Sequence, residues 1–384
     1  MTKFMNNRRD VLRLMGTGSA VMLAGFPVAP AFAAASARAT VVDVVGDAFH
    51  INGKPTYPGR AYRGSRIEGL LFTSRMVNCI ANDQNPETRG MWAYRDGPWD
   101  PERNTNEFIA ALPLYRARGL TSVAFNIQGG SPMGYGWHQP WQMSGYTADG
   151  HLLPDYRDRL IRVLDALDAA GMVAILGLFY IAAKPALKDE AAVMRAADEV
   201  IDLICQKGYT HVLIEVGNEV DLAPWAYDII KPARAHELVA RIQARSKGKI
   251  RNRQGRLQVS TSILWHSQIP ARLLESVDYV LFHGNAMATP DALRSRAKDI
   301  RAMPGYHGQP LLINEDDHFD FEKFDNDLNA AVQEYVGWGY FDYRQITEPF
   351  EDGYQSLPVD WGIHSARKKG FFNALAEITG ATPG

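Results

Sequence analysis

The stretch MVAILGLFY, residues 172–180, is a near-continuous apolar run that ends in a tyrosine. An amphipathic segment follows at 189–207, and a second apolar run, HVLIEVGNE, occupies 211–219. Strands that are apolar along their whole length are typical of a parallel sheet that is buried on both faces. A helical segment between two such strands supplies the crossover connection. The stretch therefore predicts a strand, helix, strand unit.

The same alternation extends through the rest of the chain. The predicted strands are 67–75, 120–128, 172–180, 211–219, 257–263, 277–285, 310–316 and 339–344. The predicted helices are 105–118, 155–170, 189–207, 233–247, 269–275, 291–302, 324–335 and 365–378. An open doubly wound sheet would alternate in the same way, but no Gly-rich phosphate loop follows the first strand. We predict an α/β fold, a single-domain (β/α)8 TIM barrel with long loops at the carboxyl ends of its strands.

The beginning of the chain has the layout of an export signal. An Arg-Arg pair at 8–9 precedes an uncharged stretch at 14–37 that is rich in Gly and Ala and closes in small residues. This is typical of a twin-arginine signal, with cleavage expected after Ala33 or Ala37. A transmembrane anchor is the alternative, but glycines and prolines interrupt the stretch, and a stable span needs roughly 20 apolar residues. We expect a periplasmic or secreted protein with no stable membrane anchor.

Charge and cysteine content limit the partners of the mature protein. Residues 1–37 hold four bases and one acid, so their removal changes the formal net charge from -2 to about -5. A mildly acidic protein has no electrostatic reason to bind nucleic acid or anionic lipid. Two cysteines in a chain bound for an oxidising compartment do not make a disulfide framework. Residues 38–384 are therefore expected to form a catalytic domain that depends on its core alone.

Polar residues gather where the predicted strands end, and this is where the functional residues of such barrels lie. Glu219 ends the fourth predicted strand and Glu315 ends the seventh. Because these strands lie on different sides of the barrel mouth, the two carboxylates can face each other across a substrate. Hydrolysis of a glycosidic bond uses such a pair, one acid to protonate the leaving oxygen and one carboxylate to attack or to activate water.

This arrangement resembles clan A of the glycoside hydrolases, the cellulase-like retaining (β/α)8 enzymes. Their Asn-Glu pair after strand four supplies the acid/base, and a Glu after strand seven is the nucleophile. The resemblance covers essentially residues 38–384. It implies that Glu219 is the acid/base, that Glu315 is the nucleophile and that Asn218 donates a hydrogen bond to the sugar hydroxyl next to the reacting carbon. It also implies a carbohydrate substrate, and we expect neither a cofactor nor a catalytic metal.

The sequence departs from that family after the sixth strand. Many clan members have a tyrosine there that contacts the nucleophile, whereas this chain reads FHGN at 282–285. We expect His283 and Asn285 to take its place, although a buried histidine also serves as a structural partner.

Further substrate contacts are expected from aromatic and polar residues in the carboxyl-end loops. An apolar ring can stack on a sugar face or pack its own loop. The long insertion after the second strand, 128–146, is predicted to form a binding wall. The substrate-binding residues that we predict are Asn218, Arg75, Asn126, Trp137, Tyr180, His266, His283, Asn285 and Trp361.

Three alternatives remain open at the level of sequence. Glu215 on the fourth strand is either an interior residue or a mimic of the acid. Glu315, Asp316, Asp317 and His318 could bind a hard cation in a metal-dependent hydrolase, although consecutive residues of a strand point alternately to opposite sides. A carbohydrate-binding barrel without activity would keep the aromatic walls but would not need both glutamates.

Overall fold

Eight parallel strands alternate with eight α-helices in the computed structural model of the chain, which describes residues 38–133, 139–345 and 347–382. We number the strands β1 Phe72–Arg75, β2 Ser122–Asn126, β3 Val173–Phe179, β4 Val212–Gly217, β5 Gln258–Ser260 with Ser262–Ile263, β6 Val280–His283, β7 Leu311–Glu315 and β8 Trp338–Phe341. The helices are α1 Pro101–Ala117, α2 Pro154–Ala169, α3 Glu190–Lys207, α4 Ala235–Ser246, α5 Ala271–Ser276, α6 Pro290–Ala302, α7 Asp327–Gln333 and α8 Ala366–Thr379. Each predicted strand and helix is found, and the predicted fold class is confirmed. The expected signal peptide at 1–37 lies outside the described residues.

The strands form a closed ring. Each of β1 to β4 pairs in parallel with the next strand, and the two halves of β5 pair with β4 and β6. Strand β6 pairs with β7, and β8 pairs with β1. Backbone hydrogen bonds of 2.9 Å from Ile313 to Gly337 and from Phe341 to Asp316 join β7 to β8. All eight carboxyl ends therefore open on the same face of the barrel.

An antiparallel pair of strands, Val42–Val45 and Ala48–Ile51, covers the opposite face. Its Val42 and Phe49 are buried against the side chains that fill the barrel interior, such as Leu213. The Val42 N–H donates to the Thr210 carbonyl just before β4, at 2.9 Å. Because the amino-end face is closed in this way, a ligand can reach the barrel axis only from the carboxyl-end face.

Local sequence signals determine where the helices begin. Helix α1 starts four residues before the predicted 105, because Asp100 caps it by accepting from the N–H groups of Glu102 and Arg103, and Pro101 occupies the first turn. A proline in the first turn needs no hydrogen bond from its missing N–H. Asp189 and Thr289 cap α3 and α6 in the same manner. Side-chain caps of this kind contribute about 1 kcal/mol each.

Neither a disulfide nor a membrane-spanning helix supports the fold within the described ranges. Cys79, which is buried, and Cys205, which is partly exposed, are both free thiols. None of the helices in the described part of the chain is long and apolar enough to cross a membrane. The described residues form one compact unit that packing holds together.

The loop after β7 is fastened by a histidine that lies between two buried carboxylates. His318 Nδ1 is 2.6 Å from Asp316 Oδ1 and 3.0 Å from Oδ2 of Asp327, the first residue of α7. Asp316 Oδ2 accepts a hydrogen bond of 2.9 Å from the Trp338 indole on β8. Hydrogen bonds to Asp316 and Asp327 raise the pKa of His318 to about 11. The ring is therefore a cation at neutral pH that ties β7, β8 and α7 together.

The closure of the barrel can be tested at Gly339 on β8. A Cβ atom at this position would lie 2.6 Å from the Thr73 methyl group and 2.8 Å from the Asn314 Cα. Since backbone would have to move, Gly339→Ala should lower the free energy of unfolding by roughly 1–3 kcal/mol, measured by urea denaturation. The control is Gly97→Ala, where no atom lies within 4 Å, and it should change stability by less than about 0.5 kcal/mol. Equal effects in both variants would contradict this tight approach of the strands.

The charge of His318 predicts a pH-dependent contribution to stability. Its folded-state pKa of about 11 lies above the ordinary value of 6.5. The stabilisation from the protonated ring is therefore complete below pH 6.5 and is lost as the pH rises toward 11. We therefore expect His318→Gln to lower the free energy of unfolding by a larger amount at pH 7 than at pH 10. The control variant is His307→Gln, at an exposed position. If the stability lost in His318→Gln did not change with pH, the charged state of the His318 ring would be contradicted.

Candidate active site

Four strand ends bring charged side chains together at the mouth of the barrel. Arg75, His283 and Glu315 are the last residues of β1, β6 and β7, and Glu219 follows β4. One carboxylate oxygen of Glu219, one of Glu315 and a ring nitrogen of His283 all lie within 4.8 Å of one another. The two glutamates that the sequence singled out therefore face each other at the carboxyl-end face.

Arg75 is fully buried and joins three of the strand ends. Its Nε lies 2.7 Å from Glu315 Oε2, and its Nη2 donates to Asn218 Oδ1. Burial opposes the charge of the guanidinium, but the carboxylates of Glu315 and Glu215 outweigh it and raise the pKa of Arg75. The arginine thus stays charged and fixes both Glu315 and the residue that precedes Glu219.

Glu215 belongs to the interior of the barrel. It is 1% exposed, its Oε2 lies 3.8 Å from Arg75 Nη1, and the same oxygen accepts a hydrogen bond of 3.3 Å from the Asn314 amide. Of the two interpretations of Glu215, this placement supports the interior residue, because no substrate could reach its carboxylate.

His283 connects the two facing carboxylates. Its Nδ1 lies 2.8 Å from Glu219 Oε1 and 3.5 Å from Glu315 Oε2. Burial would lower the pKa of His283, but Glu315 and Glu219 raise it overall. Burial would raise the pKa of Glu219, but His283 lowers it overall. Burial also raises the pKa of Glu315, against the opposing charges of His283 and Arg75. The proton of this pair therefore rests on His283, which forms an ion pair with the Glu219 carboxylate across the 2.8 Å contact.

The backbone at Glu219 adopts a left-handed conformation with φ of +49°. Such a conformation is uncommon for a residue with a side chain and persists where neighbours enforce it. The Glu219 N–H donates to Ser262 Oγ at 2.9 Å, and the Trp225 indole donates to the Glu219 carbonyl at 2.9 Å. Ser262 and Trp225 thus hold the turn that presents the carboxylate, whose side chain is 15% exposed. Neither contact is predicted by the sequence, because only the folded barrel brings Ser262 on β5 and Trp225 next to the Glu219 backbone.

Asn285 holds the other oxygen of Glu315. Its Nδ2 donates to Glu315 Oε1 at 3.0 Å, while Arg75 meets Oε2 at 2.7 Å. The Asn of the FHGN motif therefore contacts Glu315 directly. Both oxygens of Glu315 point at donors, which fixes the plane of its carboxylate.

The remaining predicted binding residues are spread over the rim and the core. Asn126 ends β2, is 1% exposed, and neither polar atom of its side chain has a hydrogen-bond partner among the described residues. Tyr180 follows β3 and is half-buried, whereas His266 is exposed with its ring 5.3 Å from the Trp265 ring. Trp137 lies outside the described residues.

Trp361 does not lie at the binding face, contrary to the prediction. It is 3% exposed, and its ring packs edge-on against Phe108 at 5.0 Å and stacks on Tyr354 at 6.1 Å. Its indole donates to Asn104 Oδ1 at 3.1 Å. The loop after β8 folds back onto α1, so both faces of this ring are covered by the core.

The acids after Glu315 do not form one cluster with it. Asp316, Asp317 and His318 have potential ligand atoms within 4.8 Å of one another, but Glu315 instead groups with Glu219 and His283. The divergence follows from the alternation of side chains along β7. His318 is held as a cation, and a metal ligand has to be deprotonated. The group around Glu315 offers three ligand atoms, but the guanidinium of Arg75 at 2.7 Å would repel a cation there.

Known proteins resemble this chain in structure. No family model and no curated protein sequence matches it. The chain is similar to a GH5-4 broad specificity endoglucanase from Bacteroides salanitronis, with a TM-score of 0.52 and 13% identity over 81% of this chain and 93% of that chain. It is also similar to an endo-1,4-beta-mannanase from Rhizomucor miehei, with a TM-score of 0.53 and 9% identity over 89% of this chain and 100% of that chain. At these identities the likeness concerns the fold, and the chain shares the (β/α)8 barrel of these two proteins.

Proposed function

We propose that this protein is a retaining glycoside hydrolase. The observation that carries the proposal is the approach of Glu219 and Glu315, whose carboxylate oxygens come within 4.8 Å across the barrel mouth. Retaining enzymes hold their two carboxyl groups about 5–5.5 Å apart, whereas inverting enzymes leave roughly 6.5–9.5 Å for a water molecule. The endoglucanase and mannanase that share the fold add support for a carbohydrate substrate.

In the first step Glu315 attacks the anomeric carbon of the sugar. The bond to the leaving oxygen breaks while Glu219 gives that oxygen a proton, and the sugar becomes an ester of Glu315. Arg75 and Asn285 hold the two oxygens of Glu315 in the orientation for attack. Because Arg75 meets Asn218 Oδ1, the amide nitrogen of Asn218 is the group that can donate to the sugar hydroxyl next to the reacting carbon.

In the second step water replaces Glu315 at the same carbon. Glu219 takes the proton of the attacking water, and the sugar leaves with its original anomeric configuration. The ester of Glu315 is neutral, so the negative charge beside Glu219 is gone at this stage. The loss of a neighbouring negative charge lowers the pKa of a carboxyl, which suits Glu219 to act as a base.

A carbohydrate-binding barrel without activity is the less supported alternative. Binding needs polar groups and rings at the rim, but it does not need two opposed carboxylates. Here Arg75, His283 and Asn285 are all engaged with Glu219 or Glu315. This concentration of donors on one carboxylate pair supports a reaction.

We also propose that the reaction takes place outside the cytoplasm, after twin-arginine export. The proposal rests on the Arg-Arg pair at 8–9 and on the uncharged stretch at 14–37 that ends in small residues. A mature domain with a mildly acidic charge suits a neutral polysaccharide or glycoside rather than nucleic acid.

The two glutamates can be distinguished by their variants. Glu315→Gln should lower kcat on every substrate by on the order of 10^4-fold or more, whatever the leaving group. Glu219→Ala should lower kcat by about 10^2–10^4-fold on a substrate with a poor leaving group. With a nitrophenyl glycoside, whose leaving group needs little protonation, the rate of the first step should fall much less. Added azide needs no base, so it should restore part of the rate of Glu219→Ala and give a β-glycosyl azide from a β-linked substrate. With Glu315→Ala, azide could attack only from the vacated face and would give the opposite anomer.

The exposed Glu275 on α5 gives the matched control for these variants. Glu275→Gln should keep the wild-type kcat on the same substrates. Near wild-type turnover in both Glu219→Ala and Glu315→Gln, on a glycoside that the native protein cleaves, would disprove the proposed mechanism.

The proton that His283 holds beside Glu219 should determine the basic side of the pH profile. The ring pKa of His283 is raised above 6.5, so the pair keeps its proton to higher pH than a carboxyl with the ordinary pKa of 4.5. In His283→Gln the basic limb of kcat/KM should move to lower pH by about one unit or more. The acid limb should move to higher pH, because the pKa of Glu315 loses an opposing charge. An unchanged basic limb would show that His283 does not hold this proton, and His307→Gln serves as the control.

A further inference from the structure

An apolar pocket lies between the loops that follow β3 and β4. Its volume is 90 Å³. Its walls include Tyr180, Ala183, Leu187, Trp225, Tyr227 and Ile230. Pro224 and three further alanines complete most of the lining. The pocket thus presents mainly carbon, with polar atoms over the smaller part of its surface.

Two of its aromatic residues have polar groups that already donate to backbone carbonyls. The Tyr227 hydroxyl donates to the Leu187 carbonyl, and the Trp225 indole donates to the Glu219 carbonyl at 2.9 Å. Neither hydrogen remains to be donated to a hydroxyl of a ligand.

Gln128 and Tyr180 are the other two polar side chains of the lining. Gln128 Nε2 donates to Ser144 Oγ at 3.1 Å, and its Oε1 accepts from the Tyr180 N–H at 2.9 Å. Burial raises the pKa of the Tyr180 hydroxyl, which is also near enough to the carboxylates of Glu315 and Glu219 for their charges to raise it further. A sugar ring in this pocket would lose the hydration of its hydroxyls and gain few hydrogen bonds in return, which is unfavourable.

The pocket adjoins the carboxylate that we propose as the proton donor. Trp225 forms its wall and is bonded to the backbone of Glu219 itself. Tyr180 forms another wall, and its hydroxyl is close enough to Glu315 and Glu219 for both charges to act on it. Because Glu219 protonates the leaving oxygen in the proposed reaction, the side of the site next to Glu219 is the leaving-group side.

We propose that this pocket binds a short apolar part of the leaving group, an alkyl chain of an alkyl glycoside. The proposal rests on the glycosidase function proposed above. An apolar cavity of about 150 Å³ binds benzene, so a pocket of 90 Å³ suits a narrower group of about four carbons. The protein would then prefer a simple glycoside with an apolar aglycone to a disaccharide of the same sugar.

A homologous series of substrates tests the pocket. The purified protein is assayed on the methyl, ethyl, propyl and butyl glycosides of one sugar that it cleaves. The longer alcohols have nearly the same acidity, so the leaving-group chemistry is constant along the series. Each added methylene should raise kcat/KM by about two- to fourfold through burial alone. The butyl glycoside should also exceed a disaccharide with the same non-reducing sugar.

Two alanines of the lining are replaced by a larger side chain to narrow the pocket, in the variants Ala183→Leu and Ala186→Leu. Each should flatten the rise of kcat/KM with chain length. The matched control is Ala240→Leu, at an exposed position of α4, which should keep the slope of the wild type.

The outcomes separate this pocket from the proposed function. A flat series in an active wild-type protein, or a disaccharide that is cleaved faster than the butyl glycoside, would overturn the role of the pocket and leave the glycosidase intact. A slope that survives in both leucine variants would also overturn it. Failure to hydrolyse any glycoside would overturn the proposed function and the pocket with it.

Discussion

The buried guanidinium of Arg75 is the charge on which the rest of the site depends. Removing an ion from water costs several kcal/mol, and good geometry with opposite charges has to offset it. Arg75 meets Glu315 at 2.7 Å and Glu215 at 3.8 Å, and it also donates to Asn218. One cation on β1 therefore fixes groups on β4 and β7. Burying this charge is unfavourable for stability, but it holds the carboxylate pair rigidly.

The barrel supplies the second constraint, because a closed ring sets the distance between its strands. Close approach of β7, β8 and β1 is possible because Gly339 has no side chain to separate them. The turn after β4 is forced in a similar way, since Ser262 and Trp225 hold Glu219 at a positive φ. Strain at Glu219 is therefore balanced by a hydrogen bond to Ser262 on β5 and one from Trp225 in the loop after β4, which aim the carboxylate at Glu315.

The fold and the carboxylate pair could be predicted from sequence because both follow from local pattern. Apolar runs and helix periodicity depend on neighbours along the chain, and a residue that ends a parallel strand must lie at the carboxyl-end face. Trp361 could not be placed in this way, since its burial against Phe108 depends on how a long loop folds back. The roles of Asp316 and His318 could not be predicted either, because they depend on the register of β7 and on the position of Trp338 in the folded barrel.

In the proposed reaction, the charges of the site indicate how substrate binding would prepare the proton transfer. The carboxylates of Glu215, Glu219 and Glu315 outnumber the cations of Arg75 and a protonated His283, which leaves one negative charge in excess. Water at the open mouth can solvate this charge through the part of Glu219 that is exposed, 15% of its side chain. A bound sugar displaces that water, and an unsolvated charge is costly in a site of low polarity. Binding therefore favours uptake of one more proton, and the exposed member of the pair, Glu219, is the carboxylate that can receive it.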